Sequence, residues 1–195
     1  MFVSDFDIMN ESELIFRFPK GTVYRLGNNP IYKNRENYSD KNVLAWYEIC
    51  EMDFMYLFKQ QEELVLIEVK NLNVENIHNK VGEFKDEAIH MIEMIVGIKA
   101  DLATKYGNLR QNIPEKFYDF KKLKVVFHVE IRDYPIDELR IWLNLRMDEI
   151  NQDTDIKRLK IIYNIPEVLF IEKNNGFYGT WGITVKDNSS KSKKS

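Results

Sequence analysis

Asp53 and the triplet Glu68-Val69-Lys70 are the residues of this chain whose types and spacing could do chemistry. They lie on two apolar runs, Met52 to Phe58 and Glu63 to Lys70, joined by the polar Lys59-Gln60-Gln61-Glu62. Both runs have the length of strands, and the polar tetrad reads as a hairpin connection. Side chains two apart on a strand leave the same face. Glu68 and Lys70 therefore project together, and the neighbouring strand brings Asp53 beside them. Two carboxylates in a partly apolar setting repel each other and lose hydration. A divalent cation removes that conflict, and hard oxygen ligands suit Mg²⁺ or Mn²⁺.

An Asp, fourteen intervening residues and then Glu-x-Lys resembles the PD-(D/E)XK nuclease superfamily. The resemblance covers the hairpin and the helix after it, with Met52 standing where the motif's name has Pro. It implies that Asp53 and Glu68 bind the metal, with the Val69 backbone carbonyl as a further ligand, and that Lys70 assists the attacking water. It also implies a restriction-endonuclease-like α/β fold with a mixed central sheet flanked by helices. The activity implied is that of a Mg²⁺- or Mn²⁺-dependent endonuclease or exonuclease on nucleic acid, with DNA the expected substrate. Restriction, repair and anti-phage defence would all fit.

In that superfamily a helix before the first core strand often supplies another acidic ligand, for which Glu11, Glu13 and Glu36 are candidates. Glu51 shares a face with Asp53 if the strand is continuous, whereas Glu48 faces away; both are further candidates. His78, Lys80 and Lys85 fall near the start of the long helix, where they could touch phosphate. The plainer alternative makes Glu68 and Lys70 an ordinary ion pair on a hairpin edge. The chain would then be a catalytically inactive binding or scaffold subunit of a larger complex.

The charge balance favours that alternative over a generic nucleic-acid binder. Lys and Arg total 28 against 31 Asp and Glu, a net charge of −3, and three of the lysines lie within residues 191–195, leaving residues 1–190 at −6. Nucleic-acid binders usually carry a basic face, so contact requires a local basic rim, bound metal, a partner subunit or a homo-oligomer. Cys50, the single cysteine, excludes an intrachain disulfide and fits a reducing cytoplasm. No secretory signal pattern opens the sequence, and the apolar patch at Met94–Ile98 is too short for a membrane span. Other chemistry is poorly served: the eight glycines form no phosphate loop, and three scattered histidines with one cysteine make no standard zinc site. No serine sits in a nucleophile elbow.

The elements that must position the cluster follow from periodicity. Glu13–Phe18 alternates as a strand, and Thr22–Leu26 reads as its return partner. From Val74 to about Tyr106, Ile77, Val81, Phe84, Ala88, Met91, Ile95, Ile98 and Leu102 form a helical apolar stripe. Lys124–Ile131 is a strand buried on both faces, with His128 a hydrogen-bonded core residue. Pro135 opens a second helix. Leu159–Tyr163, Val168–Ile171 and Phe177–Val185 read as further strands. The sequence thus predicts one α/β domain over 1–186 and a disordered Ser/Lys tail over 187–195.

Overall fold

A computed structural model describes residues 5–30, 52–74, 81–100, 110–165 and 167–188. Two sheets carry the fold. Strands β1 (Phe6–Glu11), β2 (Leu14–Pro19) and β3 (Val23–Arg25) come first, followed by β4 (Phe54–Phe58) and β5 (Glu63–Leu72). Helix α1 (Val81–Lys99) leads to β6 (Lys122–Ile131), and helices α2 (Ile136–Gln152) and α3 (Thr154–Tyr163) lead to β7 (Val168–Ile171). A short helix α4 (Gly176–Trp181) and β8 (Thr184–Asp187) follow. The larger sheet has the order β3-β4-β5-β6-β7, the smaller β1-β2-β8. It is a mixed α/β arrangement, with a five-stranded mixed sheet flanked by helices.

The hairpin is present in the expected form. Phe54 faces Ile67 and Phe58 faces Glu63 in antiparallel register, with Lys59–Gln61 in a 3-10 turn closed by Glu62 at positive φ. Beyond β5 the ladder becomes parallel, with β6 on β5 and β7 on β6. Each central strand is buried on both faces, so its side chains divide between two cores. Met55, Leu64, Leu66, Val125 and Phe127 pack towards α1 and α2, whereas Tyr56, Val65, Ile67 and Val126 pack against Phe16, Phe18 and Trp181. Phe84 of α1 holds the first core together: its ring lies 5.0 Å from Phe127, 5.2 Å from Phe170 and 6.4 Å from Trp142. Phe84→Ala should cost about 3–5 kcal/mol in denaturant melts, as large-to-small changes at aromatic core sites do.

Four sequence expectations require correction. Thr22–Leu26 does not return along Glu13–Phe18: Gly21 turns the chain at φ 69° and β3 joins β4 in the other sheet, while β2 pairs with β1 and β8. Leu159–Tyr163 belongs to helix α3, whose first turn is capped by the Asp153 carboxylate accepting from the backbone N–H groups of Asp155 and Ile156. Phe177–Val185 is not one strand. Asn175 caps α4, Gly182 ends it at φ 71°, and only Thr184–Asp187 is extended. Asp187, assigned to the tail, is the last residue of β8, opposite Leu14. The helix of the apolar stripe spans 81–99 among the described residues; 75–80 and 101–109 lie outside them.

Candidate active site

Strand alternation places the candidate residues on one face. Asp53, two before Met55, and Glu68 and Lys70, between Leu66 and Leu72, project from the side of the larger sheet that packs on α1. The Lys70 ammonium lies 3.0 Å from Glu68 Oε1 and 2.8 Å from Glu87 Oε1 of α1. Asp53 precedes β4, where the ladder to β5 ends. There its backbone N–H donates to the Ile67 carbonyl, and its Oδ2 accepts from the Val69 N–H at 2.8 Å. That last bond fixes the carboxylate against the strand carrying the Glu-x-Lys triplet.

Charge is unevenly compensated here. Glu68 is 5% exposed, and its Oε2 is buried with no hydrogen-bond partner among the described residues. Burial above all, and then the Asp53 charge, push its carboxyl up to about 8, against the opposing pull of Lys70. Burial likewise raises Asp53 to about 6, opposed by the Val69 N–H and assisted by Glu11. Burial draws the Lys70 ammonium down, but Glu68 and Glu87 outweigh it and hold the group above its ordinary value. Arg25, paired with Glu11, adds a second cation. Among the described residues, Lys70 and Arg25 are the cations whose charge acts on Asp53, and Lys70 is shared between Glu68 and Glu87. An environment that raises two carboxyls favours protons or a bound cation.

Among the described residues, no group of three or more His, Cys, Asp or Glu side chains is placed to share a metal ion. The Val69 side chain lies on the opposite face, in the core beneath the smaller sheet. A cavity of about 230 Å³ opens where β5 and β6 end, lined by Glu13, Val69, Lys70, Glu130, Arg132 and Lys173 among others; Asp53 and Glu68 do not line it. It lies off the carboxyl ends of two parallel strands, the usual place for ligands in open α/β sheets.

The remaining candidates are scattered. Glu13 pairs with Arg132 across that cavity, away from the carboxylates. Lys85 is engaged with Asp153 at 3.0 Å and Asp155 at 3.1 Å, bracing α1 against the α2–α3 junction. His128 is the expected core histidine, fully buried, with Nδ1 2.5 Å from the Tyr178 hydroxyl and Nε2 3.2 Å from Glu130 Oε1. Glu36, Glu48, Glu51, His78 and Lys80 lie outside the described residues. Sequence reasoning missed Glu87. Its signal was positional, since it sits next to Ala88 and three residues after Phe84, on the flank of the stripe facing the sheet.

No protein-family model, curated protein or solved structure matches the chain. No helix among the described residues is long and apolar enough to cross a membrane.

Proposed function

We propose that this chain hydrolyses phosphodiester bonds of nucleic acid, DNA first among them, in the manner of the PD-(D/E)XK nucleases it resembles. The observation that carries the proposal is Glu68. A buried carboxylate with one oxygen unbonded, beside a second raised carboxylate, is costly unless a cation completes it. Asp53 and Glu68 would hold Mg²⁺ or Mn²⁺, with the Val69 carbonyl as a further oxygen. Two carboxylates suffice for Mg²⁺, which keeps several waters and takes substrate phosphate oxygens. The bound ion would supply an acidified water and neutralise charge on the phosphate. Lys70 would stabilise the same charge or orient the water, released in part from its contact with Glu87.

A second reading has its own support. Lys70 already bridges Glu68 and Glu87, which would suit a purely structural ion-pair network in a scaffold subunit. Assays on labelled single- and double-stranded DNA and RNA separate the two. Cleavage is expected with Mg²⁺ or Mn²⁺ and not with Ca²⁺, and EDTA should abolish it. Cleavage that persists unchanged in EDTA would remove the metal mechanism, and absence of cleavage on every substrate would leave the scaffold reading.

A further inference from the structure

The opposite end of the same strands carries a surface that the carboxylate cluster does not explain. Glu63, the first residue of β5, pairs with Lys122, the first of β6, five positions before Glu68 pairs with Phe127. At about 3.3 Å per residue this end lies about 17 Å from the cluster. Six lysines gather on the segments that meet here, 20–22, 59–63 and 115–124, against four carboxylates, although the chain as a whole is acidic. Two of those carboxylates are already engaged: Glu62 with Lys121 at 2.7 Å, and the buried Glu63 with Lys124 at 3.5 Å. The ammonium groups of Lys59 and Lys122 have no carboxylate partner among the described residues, and that of Lys116 is tied at 2.6 Å to the Gly21 carbonyl.

Aromatic rings stand among these charges. Phe177 of α4 is 37% exposed and stacks on Trp181, with centroids 5.5 Å apart and planes 26° from parallel. The Lys124 ammonium lies 5.5 Å from the Phe177 ring and 5.6 Å from that of Trp181. Trp181 and Lys59 line one cavity of about 300 Å³. Lys122 and Lys124 are two apart on β6 and so leave its same face. Unpaired lysines beside an exposed, backed aromatic face provide what an unpaired nucleotide chain needs: cations for phosphates and a ring for one base. A duplex hides its base faces within the stack and would use only the lysines.

We propose that this basic, aromatic end binds single-stranded nucleic acid, seating phosphates on Lys59, Lys122 and Lys116 and one base on Phe177. The site is independent of the metal reading, because it uses none of the same residues and requires no cleavage.

The test is fluorescence anisotropy with a labelled oligothymidylate of about fifteen nucleotides, in EDTA, on the full chain. The double variant Lys59→Glu/Lys122→Glu should weaken binding at least tenfold, and Phe177→Ala several-fold, with thermal melts reporting that each variant is folded. Three phosphate contacts give a slope of log K on log salt of about −2, at roughly −0.7 per contact on a single strand. Phe177→Ala should leave affinity for a duplex of equal length unchanged. Unaltered affinity in the folded double variant would overturn the proposal, as would the absence of binding by wild type. Polyglutamate competing as well as the oligonucleotide would do the same, pointing to an acidic protein partner instead. Metal-dependent cleavage by a protein that fails these tests would leave the nuclease proposal standing.

Discussion

Lys70→Met should lower Mn²⁺-dependent cleavage by about 10²–10³-fold, the scale on which removal of one charge-stabilising donor acts. Methionine keeps most of the unbranched stem, so packing against the sheet changes little. The ammonium that lies between Glu68 and Glu87 is lost, and both of its ion pairs go with it. The variant should therefore be less stable without metal, yet gain at least as much from Mn²⁺ as wild type. A metal ion at a hundred times its Kd stabilises the folded state by about 2.7 kcal/mol. Single-turnover rates and thermal melts with and without Mn²⁺ read both effects. A folded Lys70→Met protein that cleaves at the wild-type rate would reduce Lys70 to an ion-pair partner.

The second large effect is on pH dependence. In the metal-free protein the Glu68 carboxyl is raised from 4.5 to about 8 and that of Asp53 from 3.8 to about 6. A raised acid binds its proton more tightly when folded, so its contribution is complete below the unfolded value. It fades as pH climbs through the folded one. Metal-free stability should thus fall between about pH 4.5 and pH 8, by at most about 5 kcal/mol from Glu68 at 1.36 kcal/mol per pKa unit. Asp53 adds to the lower part of that window. Asp153, held below its ordinary value by Lys85 and two backbone N–H groups despite some burial, acts in the opposite sense, but under more acidic conditions. Glu68→Gln, a neutral copy of the protonated acid, should flatten the profile and exceed wild type in stability at pH 8. Melts in EDTA from pH 5 to pH 9 check this, and a flat wild-type profile would show that Glu68 is well compensated as an anion.

The hairpin and the shared face of Asp53, Glu68 and Lys70 were legible because both rest on a period of two, which Ile67-Glu68-Val69-Lys70 displays directly. The long helix was legible for the same kind of reason, its stripe running through Phe84, Ala88, Met91, Ile95 and Ile98, all buried. What failed were short apolar runs in which two periods compete. Leu159-Lys160-Ile161-Ile162-Tyr163 has the composition of a strand, yet Ile161 is 83% exposed and the Asp153 cap lies six residues upstream. Asn174-Asn175-Gly176 has the composition of a hairpin turn, but Asn175 uses its side chain to start a helix. The third member of the Lys70 contact, Glu87, comes from a different element, and only the β5–α1 packing reveals it. The basic end is equally invisible in sequence, because its lysines come from separate segments of an acidic chain.

The smaller sheet joins residues 14–17 to residues 184–187, and this has a consequence for the order in which the molecule assembles. Emerging from the ribosome, β1 and β2 can pair at once, but the other edge of β2 stays open until residues 184–187 have been made. Closing so long a loop is slow, since its entropy must be met before the contact stabilises anything. Meanwhile Phe16 and Phe18 rely on the β4–β5 hairpin for cover. The carboxylate cluster resides on that hairpin and faces the other way. Its central strands can form before the chain's two distant segments meet, so the charged face takes shape within the part of the fold that assembles early.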